Sequence, residues 1–387
     1  MRILFCNYEY PPLGGGGGVV MAALARELAR RHTVTVLTSR AMGLPAESVD
    51  GGVRVIRVPV FFRRELAVAN LSSMLAYLPT AALSGLTLAR SGSFDVINTH
   101  FVVPTGPVGD LLRRVHGIPN VLSVHGGDLY DPSKRLSPHR LPLLRRPIGY
   151  LLRRADALVG QSRNTLQHVR EFYGVERATH LIPLGIDRPP PVPRVPRSEF
   201  GIPDDAFVLV TVGRLVARKA TVRLVEAMAA AQRPDTHLLI VGDGPDADTV
   251  RSAAAELGLT ARVHLLGQVT EVRKYQALGV ADVFISATQH EGFGLVFLEA
   301  MACGLPVICY DHGGQTDFLV DGETGHLVRL NDLDGLVRSI VNLHDHAPVR
   351  TAMAEHNRRC VEDYFIDTCA ARYEKLFQEV VGATART

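Results

Sequence analysis

No C-x-x-C pair occurs in this sequence. Its five cysteines, Cys6, Cys303, Cys309, Cys360 and Cys369, are odd in number and scattered. Neither a disulfide framework nor a cysteine zinc site fits that pattern, and a reducing compartment does. The opening MRILFCNYEYPP lacks the long apolar core of a secretory signal. The formal charge, +3, is too small to indicate nucleic acid as a partner by itself. Lysine is scarce: only four of the 42 basic residues are not arginine. Long uncharged runs are scarce too, with one exception. Leu66–Ala89 is 24 residues without a charge, enough to span a bilayer. Against a span stand Asn70, Ser72, Ser73, Pro79, Thr80, Ser84 and Thr87, because unpaired polar groups are costly in lipid. Leu71, Met74, Leu75 and Leu78 fall at helical spacing and Pro79 is expected to break the helix, which predicts a buried or membrane-facing helix pair.

What is present fits a globular protein of two domains: 387 residues, 47% hydrophobic and 21% charged. Charge is divided unevenly. Residues 1–187 hold 22 Lys and Arg against 13 Asp and Glu, and residues 188–387 hold 20 against 26. Short β-branched runs alternate with helical patterns, at Arg2–Tyr8, Thr33–Thr38, Arg54–Val60, Asp95–His100, Asn120–Val124, Ala157–Gly160 and His180–Pro183. A helix is expected over Gly18–Arg31. After a proline-rich stretch, Pro189–Pro196, the alternation restarts. Strands are expected at Phe207–Val212, His237–Val241, Val263–Leu266, Val283–Ser286 and Pro306–Tyr310. Helices are expected at Thr221–Ala231, Asp246–Leu257, Val272–Leu278 and Leu295–Cys303, with a helical tail from Asp332 to Val381. The pattern predicts an α/β protein of two doubly wound, Rossmann-like domains facing across a cleft. The expected boundaries are 1–188, a stiff linker over 189–198, 199–365, and a last helix over 366–387 that packs back on the first domain.

Chemistry concentrates in a few places. Gly14–Gly18 follows the first strand and precedes a helix, where backbone N–H groups and the helix dipole suit an anion. Val19 and Val20 follow it, not Lys-Ser/Thr, so it is no P-loop; TVTVLTSR ends without the acid of a dinucleotide fold. In TVGRLVARKA, Arg214 and Lys219 lie beyond a strand and suit a diphosphate. In QHEGFGLVFLEAMACGLPVI, Glu291 precedes Gly292 and Gly294 at a helix start, and Glu299 follows inside an apolar helix, where a charge needs a partner. One acid can accept hydrogen bonds from a sugar and the other from a ribose diol, with phosphate at the helix N-terminus between them. SVHGGD places His125 before two glycines, which suggests an exposed ring; His100, His116 and His139 have no comparable context.

E-G-F-G-L-V-F-L-E resembles the signature of glycosyltransferase family 4, retaining transferases of GT-B architecture. G-R-L-x-x-x-K, V-G-D-G-P at Val241–Pro245, G-L-P-V-I at Gly304–Ile308, D-H-G-G-Q-T-D at Asp311–Asp317 and D-G-E-T-G-H-L-V at Asp321–Val328 are similar as well. F-D-V-I-N-T-H and S-V-H-G-G-D extend the likeness loosely into the first half. The resemblance implies that Arg214 and Lys219 bind the donor diphosphate. It implies that Glu291, with the backbone of Gly292, Phe293, Gly294 and Leu295, holds the donor sugar, and that Glu299 binds the ribose. Gln268 and Val269 would border the base, His125 would face the reacting sugar, and Gly15 and Gly16 would close on phosphate. Two departures stand out: Ala220 follows Lys219 where the family has glycine, and the glycine run is longer than the usual pair.

The expectation is therefore a metal-independent, retaining hexosyltransferase that uses a UDP- or GDP-sugar as co-substrate, with no cofactor and no nucleic-acid partner. Asp246 and Asp248 open a helix and are read as caps rather than as metal ligands. The expected acceptor is a lipid-linked or cell-envelope glycan. Lys134–Arg154, with seven Lys and Arg, no acid and six leucines, would rest on an anionic membrane surface. The enzyme would thus be cytoplasmic and peripheral on the inner face of the membrane. A soluble small-molecule acceptor, or nucleotide-sugar binding without turnover, are the alternatives.

Overall fold

A computed structural model describes residues 1–41, 43–63, 70–131 and 137–384. The first residues of the uncharged stretch, 66–69, and Lys134, Arg135 and Leu136 of the basic segment lie outside them. Contacts divide the chain into one unit of Met1–Asp187 with Tyr364–Thr387 and another of Arg188–Asp363. Pro189–Pro196 carries neither helix nor strand.

The first unit runs β1 (Arg2–Cys6), α1 (Gly16–Ala29), β2 (Thr33–Arg40), β3 (Glu47–Asp50), β4 (Val53–Pro59), α2 (Leu71–Ser91), β5 (Val96–His100), α3 (Gly106–His116), β6 (Asn120–Val124), α4 (Pro142–Arg154), β7 (Ala157–Gly160), α5 (Arg163–Tyr173) and β8 (His180–Leu181). Its sheet has the order β3-β4-β2-β1-β5-β6-β7-β8 and is parallel except for β3 on β4. Strand alternation sorts β1 between two cores. Ile3 and Phe5 pack with α1, and Leu4 and Cys6 pack with α2 and α3. The strand order reverses between β1 and β5, so the loops after those strands flank the point where ligands bind in such sheets.

Pro79 does not break α2. The helix runs unbroken to Ser91 and buries every fourth residue, Ser73, Tyr77, Ala81, Gly85 and Ala89. Pro79 lies on the opposite, exposed side, and Leu75, whose carbonyl loses its N–H partner, is 59% exposed and so within reach of water. The Thr80 hydroxyl donates to the Tyr77 carbonyl at 3.0 Å, and Asn70 with Ser73 forms a capping box. By length and composition α2 could cross a membrane.

The second unit runs β9 (Phe207–Val212), α6 (Val222–Ala230), β10 (Thr236–Val241), α7 (Ala247–Glu256), β11 (Val263–Gly267), α8 (Glu271–Val280), β12 (Val283–Ile285), α9 (Leu295–Ala302), β13 (Val307–Tyr310), β14 (Gly325–Val328), α10 (Leu333–Asp345) and α11 (Ala347–Cys360). Its all-parallel sheet has the order β11-β10-β9-β12-β13-β14 and reverses between β9 and β12. The final helix, α12 (Ile366–Thr384), belongs to the first unit, where Tyr373 and Phe377 join the core of α1 and β1.

Three more readings need correction. α1 begins at Gly16, not Gly18, so most of the glycine run is helix. β3 and β14 were not anticipated. β3, ESVD, is a short antiparallel edge strand with a polar sequence, and β14 follows a turn whose glycines mask its four residues. Asp246 stands at the N-cap of α7 without a side-chain cap, and Asp248 pairs with Arg251 at 2.6 Å. The backbone N–H of Asp246 is already anchored on the Leu215 carbonyl, which fixes the turn without the carboxylate.

Candidate active site

In the second unit the site residues come from loops at the carboxyl ends of β9, β12 and β13. After β9 the chain turns through Gly213 and closes a short 3-10 turn, Ala217–Lys219. That turn brings the Lys219 ammonium onto the Glu291 carboxylate, where it donates to Oε1. Arg218 stands 3.5 Å from the same oxygen and donates to the His290 carbonyl at 3.0 Å. The Thr288 hydroxyl donates to it at 3.4 Å. Burial works to raise the Glu291 pKa, but Lys219 and Arg218 outweigh it and hold the carboxyl below its ordinary value. Arg214, by contrast, is exposed and has no hydrogen bond or ion pair among the described residues. The two predicted diphosphate cations therefore differ: one neutralises an acid, the other is free for an anion. Arg218 and Thr288 were missed, although Arg218 adjoins Lys219 in the same motif and Thr288 immediately precedes QHEGFG.

Glu299 finds its partner on α8. Lys274 donates to its Oε1 at 2.9 Å and also pairs with Glu271 at 2.8 Å. Burial raises the Glu299 pKa and Lys274 opposes it without cancelling it. Gly294 caps α9 in the left-handed region, at φ 94°, and Leu295 starts the helix. Phe293 is buried against Phe318, ring centroids 5.2 Å apart. Gln268 is exposed just past β11 and Val269 is half-buried.

The flanking motifs have a steric reason. A Cβ on Gly242, which has φ +137°, would lie 2.0 Å from the Gly213 carbonyl oxygen, so V-G-D-G-P is shaped to let G-R-L pass against it. Ala220 takes the left-handed conformation, φ 46°, that glycine adopts without cost. The turn therefore survives the departure from Lys-Gly, under strain. Ala220→Gly is expected to stabilise the protein by roughly 0.5–1 kcal/mol, seen as a higher midpoint in denaturant titration.

In the first unit His125 is not exposed. The residue is 8% accessible and its ring stacks on Phe101 at 4.3 Å. Both ring nitrogens are occupied, Nε2 by His100 Nδ1 at 2.9 Å and Nδ1 by Gln161 Oε1 at 3.1 Å. The two glycines after it do not open it to solvent. They let the chain fold back, so that Asp128 accepts the N–H of His125 at 3.0 Å and of Val102 at 2.7 Å. His100, set aside on sequence grounds, is its direct neighbour, because β5 and β6 pair in parallel with His100 opposite Ser123, and His125 directly follows β6. Phe101 has φ 66° and covers Gly17, where a Cβ would lie 2.5 Å from its ring. Gly15 is not bare either, since its N–H donates to Glu9 Oε2 at 3.1 Å. Gly16 is the first residue of α1, and its N–H has no intrahelical partner.

Burial pushes the His125 pKa down to about 4 and lowers His100 well below the histidine range, whereas burial lifts Asp128 to about 6. The two depressed histidines contribute stability that is full above about pH 6.5 and lost as pH falls toward 4. The raised Asp128 contributes stability present below its ordinary pKa and lost as pH rises through 6. Two losses against one gain predict that acidification from pH 6.5 to 4 destabilises the fold. In His125→Asn the slope should shrink by up to about 3 kcal/mol over that window, measured by urea titration at each pH.

Two family descriptions match this chain: "Glycosyltransferase Family 4" over residues 14–188 and "Glycosyl transferases group 1" over residues 195–359. A D-inositol 3-phosphate glycosyltransferase from Acidothermus cellulolyticus is 30% identical over 361 residues, 84% of this chain and 77% of that protein. The chain belongs to glycosyltransferase family 4. A GDP-mannose-dependent alpha-(1-6)-phosphatidylinositol monomannoside mannosyltransferase from Mycolicibacterium smegmatis is 29% identical over 88% of each chain. The solved sucrose-phosphate synthase from Thermosynechococcus elongatus superposes with a TM-score of 0.85 at 24% identity, covering 99% of this chain and 100% of that one. This likeness shows the GT-B fold of two Rossmann-like domains. As a family 4 member the protein is a glycosyltransferase. Among the described residues no cluster of three or more His, Cys, Asp or Glu could hold a metal ion.

Proposed function

We propose that this family 4 glycosyltransferase moves a hexosyl unit, with retention, from a UDP- or GDP-sugar to an acceptor hydroxyl without a metal. The observation that carries this is the Lys219–Glu291–Arg218 cluster at the point where the second sheet reverses, with Arg214 unpaired beside it in the chain. A buried carboxylate held ionised by cations accepts sugar hydroxyls strongly. Arg214 and Lys219 supply positive charge to the departing diphosphate, which on a same-face route also helps deprotonate the acceptor. Glu291 and the backbone of Gly292–Leu295 hold the sugar, Glu299 the ribose, and Gln268 and Val269 border the base. Gly15, Gly16 and His125 act from the first unit. When a sugar nucleotide binds, it takes Lys219 from Glu291 in part.

The acceptor is a lipid-linked or cell-envelope glycan, and the first unit rests on an anionic membrane surface. The phosphatidylinositol monomannoside in the name of the Mycolicibacterium relative supports a lipid-borne acceptor. So does the outward side of α4, where Leu143 is 91% exposed with Tyr150, Arg146 and Arg154 also exposed. Not every cation of this segment is available, because Arg145 and Arg153 donate to the Phe172 and Tyr173 carbonyls that end α5. Thermal shift across UDP, GDP and ADP identifies the base, and transfer from the matching sugar nucleotide tests the activity. A protein that no nucleoside diphosphate stabilises, and that neither transfers nor hydrolyses any sugar nucleotide, would refute the reading. Failure to sediment with anionic vesicles at low salt would remove the membrane part alone.

A further inference from the structure

The two buried histidines of the first unit belong to a chain of four polar side chains whose protons can be counted. Asn98 donates through Nδ2 to the Val121 carbonyl at 3.0 Å. A carbonyl only accepts, so the amide orientation is fixed and Asn98 Oδ1 faces His100 Nε2 at 2.7 Å. At the other end Gln161 donates through Nε2 to the His125 carbonyl at 2.5 Å, which turns Gln161 Oε1 toward His125 Nδ1 at 3.1 Å. Between them His100 Nδ1 meets His125 Nε2 at 2.9 Å. The chain has three contacts, and each needs one ring proton. Two neutral imidazoles bring only two.

The contact left without a proton is identifiable. The Asn98 end is sealed, with Asn98 0% and His100 1% exposed, and it is the shortest of the three. A bare central contact would oppose two ring lone pairs with no access for a bridging donor. The Gln161 end is the longest contact, and it lies on the less deeply buried of the two histidines, His125 being 8% exposed as a residue. His100 therefore carries its proton on Nε2 and accepts at Nδ1, and His125 carries its proton on Nε2. That leaves the His125 Nδ1 lone pair against an oxygen that can only accept.

We propose that His100, locked by Asn98, is a positioning residue that holds His125 as its Nε2–H tautomer and so makes Nδ1 the acceptor for a substrate hydroxyl. A hydroxyl entering beside Gln161 donates to Nδ1 and relieves the lone-pair opposition. The surroundings favour a neutral pair. Burial keeps both rings uncharged near neutral pH. Phe5 and Phe101 stack on the outer faces of His100 and His125. The titratable groups near them are already committed: Asp128 to the backbone N–H groups of His125 and Val102, and Tyr373 through its hydroxyl to Ser123. The substrate half of this proposal rests on the glycosyl-transfer reading above; the proton order does not.

Nitrogen-15 NMR of the histidine side chains in the free, full-length protein at pH 7 reads the tautomer without any activity. His125 is expected as Nε2–H. His100→Phe keeps a flat ring against Phe5 but removes the acceptor. It should move His125 toward Nδ1–H, which Gln161 can satisfy, and lower kcat on the order of tenfold to a hundredfold with donor KM little changed. His100→Gln, whose side-chain oxygen still accepts, should recover most of the loss. An Nδ1–H tautomer in the unaltered protein overturns the proposal, as does His100→Phe with unchanged kcat. If the protein turns over no sugar nucleotide at all, the functional reading fails, and the tautomer alone still decides the wiring.

Discussion

Lys219→Ala is expected to lower kcat by about 10²–10³-fold while raising donor KM far less, and to cost about 3 kcal/mol of stability. The kinetic part follows from where charge develops. A diphosphate leaving group gains negative charge as the sugar departs, so a cation aimed at it contributes more to the transition state than to the bound donor. The stability part follows from the pair it makes with Glu291, whose side chain is 12% exposed. Without Lys219 the carboxylate keeps only Arg218 at 3.5 Å and the Thr288 hydroxyl, and burial then dominates. The sign of the pH dependence should invert with it. In the unaltered protein the lowered Glu291 pKa gives stability that is present above the ordinary carboxyl pKa and lost on acidification. In the variant the pKa is raised, so stability is lost as pH rises through it. Lys219→Ala combined with Glu291→Gln removes the stranded charge and should regain most of the stability while turnover stays low. Equal changes in kcat and donor KM would overturn the leaving-group role.

Both sheets were legible because their strands are buried runs punctuated by turns; Asn120–Val124, Ala157–Gly160 and Phe207–Val212 match to the residue. Departures occurred where tertiary context overrides local rules. Pro79 reads as a breaker, yet it lies on the exposed side of α2, where the Leu75 carbonyl it leaves without an N–H partner is within reach of solvent. β14, only four residues that begin on a glycine, is too short to show a period. The site divides the same way. That Glu299 would have a partner was legible, because a charge inside an apolar helix demands one; the pairing of Lys219 with Glu291 was not. The partners themselves, Arg218, Lys274 and Gln161, were not, since pairing across strands cannot be read from spacing along one. His125 is the sharpest case. Its glycines suggested exposure, whereas they serve the turn that brings Asp128 beneath the backbone of a buried ring.

Gly314→Ala should be among the more damaging single methyls in the second unit, and it acts directly on the Glu291 loop. The Gly314 N–H donates to the Glu291 carbonyl at 2.8 Å, and a Cβ there would lie 2.0 Å from the Gly292 carbonyl oxygen and 3.0 Å from Phe293 Cα. Every atom it meets is backbone, so no side chain can swing aside. The loop after β12 has to retreat, and it carries Glu291, whose contact with Lys219 depends on that position. Overpacking of this kind costs about 2–3 kcal/mol, and a shift of roughly 1 Å in a positioning group costs on the order of 10² in rate. Gly279→Ala supplies the contrast. Gly279 is exposed in α8 and its Cβ would meet nothing within 4 Å, so helix propensity alone acts and the protein should gain about 0.5–1 kcal/mol. Thermal melting and sugar-nucleotide turnover of the two variants, side by side, separate the effects. One methyl should lower both quantities and the other should raise the first and leave the second unchanged. A Gly314→Ala protein with unaltered melting and turnover would mean that the β12 and β13 loops do not brace each other, and that Glu291 is held in place by its cations alone.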